Sequence, residues 1–167
     1  MLRDSVSPRF ILITFVIAGA IFLPYVYFFT DDIRPVPVQI DFVDNGMTIV
    51  FMGNSEAYFE KIEFKAENFN DFPVTLTEFT FNIYSDGELL TSGKVIADNY
   101  IDSGNEKIIS VYNQKIISQT FIDVYSPDNK NKFSFNAKGT ANVTTPYPDL
   151  EYNWESVNAI FLPWINC

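Results

Sequence analysis

The sequence predicts a mainly β fold: an antiparallel β-sandwich with one short helix, preceded by a single transmembrane helix. Three observations carry this expectation. The run Phe10–Phe29 holds no charged residue. After it, about eight short segments rich in β-branched and aromatic residues alternate with turn signals, the pattern of an antiparallel sandwich. The 167 residues include 17 Phe and 9 Tyr, more aromatic material than a disordered chain carries.

The elements follow in order. Residues 1–9 form a short N-terminal flank. At about 1.5 Å per residue, Phe10–Phe29 spans about 30 Å, the thickness of a hydrocarbon core. Arg3 and Arg9 precede the run and Asp31 and Asp32 follow it. The positive-inside rule then puts the N-terminus in the cytoplasm and the bulk of the chain outside the cell membrane. Phe10, Ile17, Gly19, Phe22 and Phe29 mark this anchor. Gly19, between Ala18 and Ala20, offers a small-residue face for packing beside other membrane helices. A cleaved signal peptide is the competing reading, because Ala18-Gly19-Ala20 resembles a cleavage site. Ile21–Phe29 continues the apolar run beyond that site, so a retained anchor is the expectation. Both readings export the rest of the chain.

Residues 30–37 read as a linker stiffened by Pro35 and Pro37, and residues 38–155 as the β-domain. Strands are expected at Val38–Val43 and Met47–Met52, joined by a hairpin turn at Asp44-Asn45-Gly46. Tyr58–Glu67 alternates cleanly, with Ile62, Phe64 and Ala66 on one face. The next stretch, Asn68, Phe69, Asn70, Asp71, Phe72, Pro73, reads as a strand–turn–strand corner. Asn70 and Asp71 are turn formers, Pro73 pushes Phe72 towards an extended conformation, and Phe69 and Phe72 read as plugs.

Val74–Tyr84 is a strand whose apolar parity switches between Leu76 and Phe79, which a bulge near Thr77-Glu78 reconciles. Asp86-Gly87 is a hairpin turn before Glu88–Leu90. Ser92-Gly93 then reads as a break before a short strand at Lys94–Ala97. Asp98–Glu106 is a polar loop and Lys107–Tyr112 a strand. In Gln114–Tyr125, Ile117, Phe121 and Val124 have helical spacing, while the β-branched content favours a strand; periodicity makes helix the expectation. Asn131–Thr145 alternates through Phe133, Phe135, Ala137, Ala141 and Val143. Leu150–Trp154 is the last strand, after a turn at Pro146–Asp149. Residues 156–167 form an apolar tail. Phe161, Leu162, Trp164 and Cys167 are its interface candidates, to be covered by the domain, the membrane interface or a partner.

Charge and residue types exclude several chemistries. A net charge of −10 disfavours nucleic acid, where phosphate neutralisation supplies most of the affinity. The absence of His removes Ser–His and Cys–His pairs and His-ligated metals. Cys167 is the only cysteine, so no disulfide forms within the chain. Asp98, Asp102 and Glu106 share one predicted loop, but their spacing is not that of an EF-hand. Asn142-Val143-Thr144 is a glycosylation triplet, making Asn142 a candidate for modification. The expectation is no enzyme, no cofactor, no metal and no evident small-molecule substrate. The expected partners are the lipid bilayer and other membrane-protein subunits.

Two segments carry a resemblance. N-F-N-D-F-P-V-T-L at Asn68–Leu76, followed by F-N-I-Y-S-D-G-E-L-L-T-S-G at Phe81–Gly93, resembles the atypical late-embryogenesis-abundant domain, also called the water-stress and hypersensitive-response domain. That family's corner reads N-P-N-P-F-P-V; here Phe69 and Asp71 stand where it carries proline. Its Gly-Thr strand pair resembles Phe133–Thr144, with G-T-A-N-V at Gly139–Val143, and Leu150–Trp154. The resemblance runs over roughly residues 36–154. It implies a fibronectin-type-III or immunoglobulin-like sandwich with a helix between its middle and last strands, and no catalytic residues. The functional expectation is a non-catalytic membrane-anchored interaction module, an accessory subunit of a membrane or envelope complex. The alternative is a stress-protective domain on the cell surface.

Overall fold

The computed structural model describes residues 34–53, 55–124 and 133–156, with backbone alone at 133 and at 159–161. The chain separates into Met1–Arg34 and Pro35–Cys167, and the second unit carries every element below. The anchor residues Phe10, Ile17, Gly19, Phe22 and Phe29, and Leu162, Trp164 and Cys167 of the tail, lie outside the described residues.

The structure is mainly β, with antiparallel sheets and one short helix. The elements are β1 (Gln39–Met52), β2 (Glu56–Glu67), β3 (Val74–Ser85), β4 (Glu88–Ile101), β5 (Glu106–Lys115), α1 (Gln119–Val124), β6 (Phe133–Thr144), β7 (Leu150–Glu155) and β8 (Ala159–Phe161). One sheet has the order β1-β2-β5. The other has the order β4-β3-β6-β7, with β8 pairing β6 beyond the end of β7.

Alternate side chains along each strand enter a common core, as a pleated sheet with one covered face requires, with the inward parity switching at the register shifts of β1 and β3. Phe64 of β2 is its centre. Its ring lies 5.3 Å from Phe42 of β1, 5.3 Å from both Phe79 and Phe81 of β3, and 5.9 Å from Trp154 of β7. Phe59 of β2 meets Phe135 of β6 at 6.0 Å. The predicted parity switch in β3 occurs: Val74, Leu76, Phe79, Phe81 and Ile83 are all buried, and the register shifts between Leu76 and Glu78. The Asp86-Gly87 turn joins β3 to β4, with positive φ at both residues (49° and 82°), the geometry that favours Gly in such turns.

Several expectations are corrected. Asp44-Asn45-Gly46 is not a hairpin. Phe42 pairs with Phe64 and Met47 with Ile62, so residues 43–46 bulge opposite Glu63 while β1 runs on along the same partner. Ser92-Gly93 is not a break, because β4 is continuous from Glu88 to Ile101. A Cβ at Gly93 would lie 2.3 Å from the Phe81 ring, so the missing side chain makes room for a core aromatic inside a strand. The polar loop is correspondingly shorter than Asp98–Glu106.

The segment predicted as helix starts as strand, to Lys115, and then forms a short helix at Gln119–Val124, with Tyr125 outside the described residues. Ser118 caps that helix, accepting the Phe121 N–H at 2.9 Å. Its buried residues are Phe121 and Ile122, while Ile117 is 62% exposed, so the i, i+4, i+7 spacing did not mark the core face. Leu150–Trp154 is not the last strand. The Ser156 backbone N–H donates to Ala137 O at 2.8 Å, and Ala159–Phe161 then pairs with residues 133–135. The backbone of the interface candidate Phe161 is therefore a ladder position of the domain.

Candidate functional site

The Asn68–Pro73 corner is the most elaborate polar structure among the described residues. It begins where β2 ends. Asn68 and Asn70 are turned inward and buried, whereas Phe69 is 59% exposed. This reverses the predicted plug role of Phe69. Burying a primary amide is costly unless its hydrogen bonds are made, and here they are made in full.

The Asn68 amide Nδ2 donates to the carbonyls of Phe72 (2.9 Å), Ile101 (3.2 Å) and Asp102 (3.1 Å). Its Oδ1 accepts from the backbone N–H of Asn70 (3.0 Å) and from Asn70 Nδ2 (2.8 Å). The backbone N–H of Asn68 donates to Asn105 O at 2.9 Å. Asn70 then reaches the segment that leads into β1. Its Oδ1 accepts the Val36 N–H at 2.6 Å and its Nδ2 donates to Val36 O at 3.0 Å. One side-chain amide thus imitates a backbone partner for Val36. Ser103 Oγ adds a bond to Asn70 O at 2.9 Å. Phe72 is half-buried and packs its ring against Tyr147 at 4.9 Å, so its predicted plug role is retained. Pro73 leads directly into β3.

Three distant chain segments therefore meet at two asparagines: the entry at Val36, the corner itself, and the β4–β5 loop. The sequence marked the asparagines as turn formers. It did not mark Val36, Ile101 or Ser103 as their partners, since those contacts span more than thirty residues of chain. The one titratable side chain of the corner, Asp71, is exposed, and the buried amides of Asn68 and Asn70 are fully occupied.

A second polar device lies in the larger sheet. The β3–β6 ladder pairs Phe79 with Ala141 and Asn82 with Lys138, but opens between them. The Trp154 indole N–H donates to Thr80 O at 3.1 Å, and the Thr140 N–H donates to Thr80 Oγ1 at 2.9 Å. A Cβ at Gly139 would sit 1.9 Å from Thr80 O. Glycine is needed there because the Thr80 backbone approaches closely, which gives the Gly139-Thr140 step a physical reason. An open pocket of about 430 Å³ lies over this gap, lined by Asn82, Lys138, Asn153 and Glu155 among others.

The remaining candidates are scattered. Asn142 lies in mid-strand on β6, half-buried between Glu78 of β3 and Glu151 of β7. Asp98 is on β4. Asp102 accepts a hydrogen bond from the Tyr100 hydroxyl at 2.9 Å, and Glu106 lies 3.8 Å from Lys65. Among the described residues no three carboxylates gather where a metal would be held. The shifted pKa values belong to surface pairs and one buried phenol. The Lys115 ammonium, 2.8 Å away, holds the Glu56 carboxyl below its usual range, and Glu56 in turn raises Lys115. Glu63 and Glu67 raise Lys61 and Lys65. Burial raises the Tyr152 phenol, whose hydroxyl donates to Val38 O at 2.7 Å.

No family model matches the chain, and no curated protein matches it. Among solved structures it is similar to an Arabidopsis thaliana protein determined in solution, at 8% identity, over 83% of this chain and 89% of that one, with a TM-score of 0.59. It is also similar to the solution structure of a protein named as late embryogenesis abundant, at 9% identity, over 98% of this chain and 94% of that one, with a TM-score of 0.50. At these identities the likeness is one of fold: antiparallel sheets with a short helix, shared with a late-embryogenesis-abundant structure.

Proposed function

We propose that this chain is a non-catalytic, membrane-anchored β-sandwich that serves as an accessory subunit of a membrane or envelope complex. In this reading the two sheets close face to face, Phe10–Phe29 is the anchor, and the domain stands on the outer side. The observation that carries it is the double amide bond between Asn70 and Val36. It fastens the domain to its own lead-in, two residues beyond Arg34, where a pull from an anchor would enter. The polar corner, with its amides consumed by backbone, supports a structural role rather than a reactive one.

The likeness to the late-embryogenesis-abundant structure favours a second reading, a stress-protective domain on the cell surface. Membrane fractionation tests the anchor shared by both. The full chain should stay in the membrane after alkaline carbonate washing, and a chain lacking residues 1–34 should be released. A full chain released by carbonate would defeat the proposal. Partner dependence separates the two readings: an accessory subunit is lost or misplaced without its complex, whereas a protective domain is stable alone and accumulates on drying.

A further inference from the structure

One end of the domain gathers the turns nearest the lead-in. Gln39 pairs with Glu67, Glu67 with Glu106, and Val74 with Ile101, so the segment before β1, the Asn68–Pro73 corner and the β4–β5 loop share that end. The β6–β7 turn joins them, because Thr144 pairs with Thr75 and the Phe72 ring meets Tyr147. Four aromatic side chains are exposed among the described residues. Phe69 and Tyr147 belong to this end, and Tyr100 stands one residue before the end of β4. Tyr112 lies elsewhere, paired in mid-sheet with Lys61. The buried amides on either side, Asn68 and Asn70, hold Phe69 outward, and Val36 is exposed at the same end. The opposite end, where the Ile117 N–H donates to Leu90 O, exposes the aliphatic Met52 and Ile117 instead.

We infer that this end is a lipid-interface surface, with Phe69 and Tyr147 seated among zwitterionic headgroups of the bilayer that holds Phe10–Phe29. The inference rests on the membrane-anchored reading. The point where the chain enters argues for lipid. Val36 follows Phe29, the last residue of the apolar run, by seven positions (36 − 29). At no more than about 3.6 Å per residue, it stays within about 25 Å of the hydrocarbon boundary. A tether this short keeps the effective concentration of lipid at this end high, whatever else the chain binds. The residue types agree, because amphipathic and aromatic rings settle at the headgroup level. Charge selects the headgroup. Asp71, Asp102, Glu106 and Asp149 are exposed at the same end. An anionic surface repels them, whereas a zwitterionic headgroup offers them a cationic amine.

The full chain, reconstituted alone into phosphatidylcholine vesicles, tests the seat. In a Cys167→Ser background, Asp71→Cys carries an environment-sensitive fluorophore at the corner, and Met52→Cys carries it at the opposite end. A nitroxide on the lipid headgroup should quench the label at position 71 and leave the label at position 52 bright. Replacing part of the lipid by phosphatidylglycerol should weaken that quenching. Phe69→Ser should lower the ratio of seated to unseated domain about fivefold, with the melting temperature unchanged. Carbonate washing of the same vesicles separates two failures. A chain that stays in the vesicle, yet is quenched no more at position 71 than at position 52, overturns the inference, leaves the anchor standing and gives this surface to a protein partner. A chain that washes out removes the anchored reading and the inference with it. A folded Phe69→Ser chain quenched as strongly as its parent also overturns the inference.

Discussion

Replacing Asn68 by alanine removes the centre of the corner while leaving the apolar core untouched. The carbonyl of Phe72 and the backbone N–H of Asn70 both lose the Asn68 amide, at 2.9 and 3.0 Å. A buried polar group left unpaired costs about 1–3 kcal/mol. Two such groups give a loss of about 4 kcal/mol. The Asp102 carbonyl keeps its bond from the Asn105 N–H and Asn70 Nδ2 keeps its bond to Val36 O, so both add little, and the Ile101 carbonyl loses only the longest of the bonds, at 3.2 Å. Asn70→Ala differs in kind. It exposes the N–H and C=O of Val36, a half-exposed residue that water reaches, so the expected loss is about 2 kcal/mol. Urea unfolding of the purified chain, followed by tryptophan fluorescence at unchanged m-value, measures both. Asn68→Asp sharpens the test, because a carboxylate would face three carbonyl oxygens. Its pKa rises in the folded state, so that variant should be most stable at acid pH and lose stability as pH rises. An Asn68→Ala loss below about 1 kcal/mol, or no larger than that of Asn70→Ala, would refute the reasoning that buried amide satisfaction holds the corner.

The other predictions concern single positions. Gly139→Ala should cost about 3 kcal/mol, because its Cβ would lie 1.9 Å from Thr80 O; thermal or urea unfolding reads this. Trp154→Phe keeps the ring in the core but removes the indole N–H from Thr80 O, for a loss of about 1–3 kcal/mol by the same assay. Phe69→Ser should change stability by less than about 0.5 kcal/mol, whereas Phe72→Ala should cost measurably more, since only Phe72 packs on Tyr147 and the core. Burial raises the Tyr152 phenol above the ordinary tyrosine value near 10. The unfolded chain then loses that proton first, so stability should hold below about pH 10 and fall as pH rises towards the folded value. Tyr152→Phe should flatten that alkaline decline in a pH series of unfolding curves.

What the sequence made legible was alternation. Ile62, Phe64 and Ala66, the switched parity of β3, and Phe135 through Val143 were readable because a sheet with one covered face imposes period two. What was not legible depended on distant chain. Asp44-Asn45-Gly46 carries a hairpin signal, yet pairing with β2 on both sides turns it into a bulge. Gly93 looks like punctuation until the Phe81 ring is placed over it. The corner showed its turn residues, but an apolar-inward rule assigned Phe69 to the interior. The asparagines took that place because Val36, Phe72 and Ile101 supply the partners that burial demands. The tail strand β8 was hidden for the same reason, since its partner lies in β6.

Native mass in mild detergent, with identification of the chains that co-purify, tests the accessory-subunit proposal most directly. The account predicts a stoichiometric set of other membrane proteins with this 19.1 kDa chain. The chain alone, as a monomer or as a dimer of itself, would contradict it and bring the protective reading forward.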